Sequence, residues 1–212
     1  MNGDILYIGI ILLITVFSVV LHELAHGGVA FLLGDHTAKD AGRLSLNPLK
    51  HIDPYMSILV PVILYIFRAP VFGGAKPVPI NYHNLKGKEW GMAAVAISGP
   101  LTNFLIALVS FFIGHYTGLL YGFGGEVPSF IFSELILVNL GFMLFNLIPI
   151  PPLDGSRVLY AIAPDFFRGI LANFERYGII TIYLLIFLFG DVFSGLMVNG
   201  TSGILQFFYF LI

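Results

Sequence analysis

Long apolar runs with few charges inside them constrain this chain more than any other feature of its sequence. Hydrophobic residues make up 58% of the 212 positions and charged residues only 10%, against roughly 25% charged in soluble domains. The runs cover positions 5–33, 55–67, 92–113, 130–148, 179–189 and 204–212. Most carry too little charge for a helix surface that faces water. The sequence therefore predicts an all-α polytopic membrane protein.

The apolar material is spread along the whole chain, and no large polar block separates the runs. We therefore predict one integral membrane domain over positions 1–212, with a core at about 5–157 and accessory helices at about 164–212. The chain has no cysteine and a formal net charge of −2. Without thiolates, imidazoles and carboxylates are its only strong metal ligands. The balanced charge predicts no nucleic-acid partner.

All ten Lys and Arg residues fall in three connections between runs, at positions 39–50, 68–88 and 157–176. By the positive-inside rule these connections face the cytoplasm, and the amino terminus and positions 122–128 face outward. The run at 55–67 would then begin and end on one side. It has only about 13 residues, fewer than the ~17 needed to cross, and it contains Pro61. We predict that it enters the bilayer without crossing.

The remaining runs predict about five transmembrane helices. The first runs inward, the second outward from Met92, the third inward from Phe130 and the fourth outward from about Tyr177. A glycine-rich patch at positions 199–203 interrupts the last run, so the fifth helix begins between Phe193 and Ser202. We expect the carboxy terminus in the cytoplasm and the chain in the plasma membrane.

The segment His22-Glu23-Leu24-Ala25-His26 stands inside the first apolar run. Ionisable groups at this depth cost several kcal/mol unless something compensates them. Positions four apart share a helix face, so both imidazoles can bind one metal while Glu23 reaches the attacking water. The spacing predicts a zinc hydrolase site with one Zn²⁺. A buried polar network or a proton path is the alternative.

Catalytic zinc normally takes a third protein ligand. Among the carboxylates near the later runs, Asp154 alone lies toward the inner end, at the depth predicted for His22 and His26. It follows three prolines at 149, 151 and 152, and irregular backbone is tolerated at membrane depth where it lines a cavity or is buried in protein. A helix-ending turn at the interface is the alternative for this segment.

These residues resemble the site-2 protease family of intramembrane zinc metalloproteases. The resemblance rests on the motif at 22–26, the segment 146–155, and Ser98-Gly99-Pro100-Leu101-Thr102-Asn103, which is similar to a Gly-Pro-x-x-Asn element of that family. Together they cover a three-helix core over roughly positions 5–157. The chain looks like a minimal form without an extra soluble domain.

The resemblance implies zinc bound by His22, His26 and Asp154, with Glu23 as the catalytic base. Asn146 is implied to orient substrate, and Asn103 either packs the second span or faces substrate. The family also implies a strand-like, membrane-associated element between the first two core helices, here within positions 41–79, whose pieces are 42–48 and 74–79. Its edge could pair with an extended substrate.

The function expected from this resemblance is cleavage of membrane proteins, either single-pass helices or signal-peptide remnants, with a regulatory membrane partner helping to select them. A transporter that passes a metal ion or proton through the same cluster is the alternative, although no matching broken helices in two halves support it. A zinc-binding scaffold is a third reading. The intact Glu23 argues against it.

Reporter fusions test the predicted orientation. A reporter inserted at Gly124 should report an external position, and one inserted at Lys86 a cytoplasmic position, because basic connections are retained inside. A cytoplasmic signal from the fusion at Gly124 would contradict the orientation.

Overall fold

The computed structural model describes residues 2–59, 62, 63, 66 and 75–212 and is helical throughout its regular parts. Over residues 2–59 and 75–212 the chain forms six α-helices: α1 (Asn2–Leu32), α2 (Thr37–Asp40), α3 (Glu89–Tyr116), α4 (Glu126–Asn146), α5 (Asp154–Ile162) and α6 (Asp165–Phe210). Shorter helical turns lie at Pro48–His51, Pro54–Leu59, Tyr82–Asn84 and Leu119–Tyr121. The predicted all-helical class is confirmed.

Among the described residues, three helices are long and apolar enough to cross a membrane, at Ile5–Leu32, Glu89–Tyr116 and Glu126–Asn146. They coincide with the first three predicted spans and form the core, in which α3 packs against α1, α4 and α5. A buried apolar cluster joins Phe111 of α3, Leu140 of α4 and Phe208 of α6. The carboxy-terminal end of α6 is thereby tied to the three-helix core.

The predicted fourth and fifth spans fall on α6, which departs from helical geometry at Gly178 and Phe189. The break at Gly178 lies close to the predicted start near Tyr177. The predicted interruption at positions 199–203 is wrong, because this stretch is helical. A Cβ on Gly200 would come within 3.0 Å of Leu144 Cδ1, so this glycine permits close helix contact instead of forming a turn. Five spans remain a prediction.

Two predictions concern the connection between α2 and α3, namely a strand-like element and a re-entrant run. In its described residues it contains no strand, so the strand-like element is not confirmed. Pro77 and Pro79 give a physical reason, since neither has an N–H to donate to a strand ladder. The predicted re-entrant run at 55–67 includes residues 60, 61, 64, 65 and 67, which lie outside the described residues, as does Gly74 of the second strand piece. At those residues the re-entrant run and the second strand piece remain predictions.

A buried carboxylate fixes this connection to the end of α1. Asp35 accepts hydrogen bonds from the Asn81 backbone N–H at 2.6 Å, the Thr37 hydroxyl at 2.5 Å and the Asn84 amide at 3.1 Å. Burial alone would raise the pKa of Asp35, but these donors outweigh it and lower the pKa below its usual value. The carboxylate therefore stays ionised and holds the residues before α3 against α1.

Candidate metal centre

Two histidines one helical turn apart lie on the buried face of α1. The exposed fraction is 8% for His22 and 7% for His26. Their shared face follows from the four-residue spacing on a helix, as the sequence predicted. Ten residues separate His22 from the end of α1 at Leu32, which places it about 15 Å along the helix from that end. His26 is six residues from that end, about 9 Å along the helix, so the pair lies in the carboxy-terminal half of the apolar stretch Ile5–Leu32.

Helix α3 orients both imidazoles. His26 Nδ1 donates to the Val95 carbonyl oxygen at 2.7 Å, and His22 Nδ1 donates to Asn103 Oδ1 at 2.6 Å. A carbonyl oxygen only accepts, so the proton on His26 must be on Nδ1. In the neutral rings each Nε2 then carries a lone pair. This is the tautomer in which a histidine binds a metal through Nε2.

The hydrogen bond to His22 continues as a buried polar chain across three helices. Asn103 of α3 donates to Asn139 Oδ1 at 2.8 Å, and Asn139 of α4 donates to Ser18 Oγ of α1 at 2.9 Å. Ser18, Asn103 and Asn139 are all fully buried. Satisfied hydrogen bonds between helices hold membrane helices in register. The chain therefore fixes α1, α3 and α4 at the level of the histidines.

Gly99 allows α3 to approach the two rings. A Cβ at this position would lie 2.5 Å from both His22 Cε1 and His26 Nε2. No real side chain fits at such distances, and only glycine lets the backbone of α3 pass directly against the imidazoles. Gly99 therefore serves the packing of α3 against the histidine pair.

Asp154 begins α5 after the irregular segment 147–153. Ile148 and Leu153 of that segment are buried against Ile182 of α6. At Gly155 a Cβ would come within 2.2 Å of the Leu147 carbonyl oxygen, so a glycine is needed where the segment folds back on itself. The prolines and this glycine together end α4 and turn the carboxylate of Asp154 toward α1.

The side chains of His22, His26 and Asp154 converge. The two Nε2 atoms are 2.9 Å apart, and Asp154 Oδ2 lies 3.2 Å from His22 Nε2 and 3.3 Å from His26 Nε2. Within the described residues these are the three side chains that could jointly hold a metal ion. The structure therefore brings together residues separated by more than a hundred positions in sequence.

This triangle of atoms suits a cation. With both Nδ1 atoms donating, neither Nε2 has a hydrogen to share, and an ionised carboxylate only accepts. Asp154 Oδ2 is buried and has no hydrogen-bond donor. In a tetrahedral zinc site with ligands at about 2.0–2.1 Å, neighbouring ligand atoms lie roughly 3.3 Å apart. The observed separations are close to that edge length, and a nitrogen–nitrogen–oxygen donor set fits zinc.

The other predicted site residues occupy different positions. Glu23 is half-buried beside His22, and its Oε2 accepts a hydrogen bond from the Val78 backbone N–H at 2.7 Å. Asn146 ends α4, and its amide donates to the Phe142 carbonyl oxygen at 3.0 Å. Asn103 lies behind His22 with both ends of its amide engaged. That placement fits the packing role expected for Asn103, and its contact with substrate stays a prediction.

Comparison with known proteins identifies the family. No family model matches the chain, and no solved structure matches it. The chain is 38% identical over 201 residues to "Putative zinc metalloprotease YwhC" of Bacillus subtilis, covering 91% of this chain and 88% of that protein.

The chain belongs to the site-2 protease family.

A more distant relative is consistent with this assignment. "Putative zinc metalloprotease Rip2" of Mycolicibacterium smegmatis is 29% identical over 190 residues, covering 85% of this chain and 68% of that protein. The relatives' names support a zinc metalloprotease, and they do not favour the transport alternative.

Reasoning from the sequence missed three residues around this site-2 protease centre. Val95 contributes only its carbonyl oxygen and Val78 only its backbone N–H, so their side chains gave no signal. Asn139 did give a signal in the sequence, because an amide in the middle of an apolar run needs a hydrogen-bond partner inside the membrane. The site thus depends on backbone groups as much as on the motif residues.

Substitution of Gly99 tests the packing of α3 on the histidines. The added methyl of Gly99→Ala should force the imidazoles from their positions and weaken zinc binding by about 10–100-fold, as changes around metal ligands typically do. Zinc affinity would be measured by chelator competition in detergent. Gly141→Ala is the matched control, because a Cβ there meets nothing within 4 Å. Equal affinities in the two variants would contradict the packing account.

Proposed function

We propose that this site-2 protease is an intramembrane zinc endopeptidase that hydrolyses peptide bonds of transmembrane substrates. The observation that carries the proposal is the convergence of His22 Nε2, His26 Nε2 and Asp154 Oδ2 at 2.9–3.3 Å. The names of the relatives support zinc and proteolysis. The depth of the site along α1 supports the intramembrane location.

In the proposed mechanism His22, His26 and Asp154 hold one Zn²⁺ per chain. Zinc bound there would supply a Lewis acid that polarises the scissile carbonyl and lowers the pKa of a water molecule toward about 7. Three protein ligands leave a fourth position for the reactants, which is the arrangement of catalytic zinc sites. The bonds from Val95 and Asn103 keep both rings in the ligating tautomer throughout.

Glu23 is the proposed catalytic base. It follows His22 directly on α1, so its carboxylate starts from the same turn of the helix as the first ligand. It takes a proton from the attacking water and returns it to the nitrogen of the leaving amine when the peptide bond breaks. Its side chain is half-buried, and Oε2 is already engaged by the Val78 N–H.

The proposed substrate is a single-pass transmembrane helix or the remnant of a signal peptide. A peptide bond can reach a site at this depth only if its segment lies in the bilayer and is locally unwound, because a helix buries its carbonyls in its own hydrogen bonds. Asn146 is proposed to orient the unwound peptide from the segment that carries Asp154. In the structure its amide donates to the Phe142 carbonyl oxygen of its own helix.

The remaining proposals concern the setting of the enzyme. We propose that the protein lies in the plasma membrane, and the positive-inside rule supports an orientation with the amino terminus outside and the carboxy terminus cytoplasmic. The metal ligands would then open toward the cytoplasmic half. We propose that a membrane partner assists in selecting substrates.

Substitution of Glu23 tests the proposed chemistry. Glu23→Gln should retain about one zinc per chain, because the three ligands are untouched, and should lose cleavage of a test transmembrane peptide by about 10²–10⁴-fold, the usual contribution of a general base. Zinc would be measured by elemental analysis and cleavage by mass spectrometry of the products.

Glu126→Gln is the matched control. Glu126 is exposed at the start of α4 and lies at the opposite end of the core from Asp154, so its loss should leave both readouts unchanged. Cleavage that survives Glu23→Gln, or a native chain without zinc, would contradict the proposed function.

A further inference from the structure

A short segment without regular secondary structure, residues 76–81, lies against α1 and contacts Glu23 of the HExxH motif. Lys76 N–H donates to the His51 carbonyl oxygen at 2.8 Å, and the Lys76 carbonyl oxygen accepts from the Arg43 guanidinium at 2.7 Å. Asn81 N–H donates to Asp35 at 2.6 Å. The segment is therefore fixed at both ends, on one side to the loop after α2 and on the other to the end of α1.

Between these anchors, the segment touches the proposed catalytic base. The Val78 backbone N–H donates to Glu23 Oε2 at 2.7 Å. Val78 stands between Pro77 and Pro79, which have no N–H and restrict the backbone to extended conformations. Val78 therefore provides the one backbone donor over residues 77–79, and its direction is set by a stiff chain.

The Val78 side chain is also packed in place. It is buried, and its Cγ1 would lie 3.0 Å from a Cβ on Gly27, which also faces Leu44 at 2.5 Å. Gly27 therefore lets the segment approach α1 four positions after Glu23, on the same face of the helix. Arg43 and His51, which hold Lys76, are themselves buried. The direction of the Val78 N–H is therefore fixed by packing on both sides of the segment.

We propose that Val78 is a positioning residue for catalysis, which acts through Glu23. Its N–H holds one carboxylate oxygen in a fixed direction, so that the other oxygen is left to take the proton of the attacking water. A general base works only within hydrogen-bond reach of its proton, and a flexible glutamate would often point elsewhere. This inference rests on the proposed protease function and deepens it.

The proposal also assigns a purpose to the two prolines. A segment pairing with substrate as an edge strand needs an N–H at alternate positions along its free edge. Residues 77 and 79 share the edge opposite to that of Val78 and have none. This part of the segment therefore serves Glu23 and offers an incoming peptide carbonyl oxygens only.

Replacement of the Val78 amide by an ester tests the proposal. Incorporating 2-hydroxyisovaleric acid at position 78 removes the N–H and keeps the side chain. The expected result is a kcat lower by about 10–100-fold, the scale of a misplaced catalytic group, with KM and zinc content unchanged. The substrate is a test transmembrane peptide, and the protein is the full chain loaded with zinc.

The matched control is the corresponding ester at Leu49, whose N–H donates to the side-chain oxygen of Asn47 at 3.0 Å in an exposed turn. It loses the same kind of bond far from Glu23 and should keep the native kcat. An unchanged kcat in the Val78 ester overturns the proposal. So does a Val78 ester that loses zinc in parallel with activity, because that result assigns the bond to structure alone.

Adjacent glycines provide a second test by ordinary mutagenesis. Gly27→Ala should push Val78 away from α1 and lower kcat with zinc retained, whereas Gly28→Ala should not, since a Cβ on Gly28 meets nothing within 4 Å. Equal kcat values in these two variants would overturn the proposal.

Failure of the native chain to cleave the test peptide would overturn both the proposed function and this inference. Cleavage by the native chain, together with an unchanged kcat in the Val78 ester, would overturn this inference alone.

Discussion

The structure depends on the convergence of three side-chain atoms that can each donate an electron pair to a metal. In neutral imidazoles protonated on Nδ1 neither Nε2 carries a hydrogen, and an ionised carboxylate carries none either. His22, His26 and Asp154 bring two imidazole nitrogens and a carboxylate oxygen to within 2.9–3.3 Å of one another, beside helices that are long and apolar enough to cross a membrane. Without a cation such an arrangement is unfavourable, because buried acceptors need donors and like partial charges repel at this distance. A bound metal turns the same geometry into a stabilising contact among α1, α5 and the segment between α4 and α5.

Helix α3 gives this centre its shape, although it supplies no ligand. Gly99 lets its backbone lie against both rings, Val95 fixes one ring and Asn103 fixes the other. Asn103 in turn is held by Asn139 of α4, so the position of a metal ligand is linked to the packing of all three candidate membrane helices. A membrane enzyme can thus use hydrogen bonds between helices both to hold the fold and to prepare the site.

Much of this arrangement could be predicted from the sequence, because its signals are local. The spacing of His22 and His26 defines one helix face, and the prolines before Asp154 mark a break in an apolar run. The pairing of Asn103 with Asn139 could not be predicted, since nothing local states which helices face each other at that level. The hydrogen bond from the Val78 N–H to Glu23 could not be predicted either, because every residue type except proline carries the same backbone N–H.

The erroneous prediction at positions 199–203 has a related cause. Glycine favours turns in water, yet between membrane helices it allows close packing, as Gly200 does against Leu144. The prediction was wrong because it relied on the local turn propensity of glycine, whereas the packing contact between helices determines the conformation of this stretch.

The central claim is that two histidines and one aspartate bind zinc within the membrane core. Zinc K-edge X-ray absorption on the purified, zinc-replete chain tests it most directly. The account predicts one zinc per chain with two imidazole nitrogens and only oxygen otherwise, at about 2.0–2.1 Å. A spectrum without imidazole, or a folded chain that does not retain zinc, would contradict it.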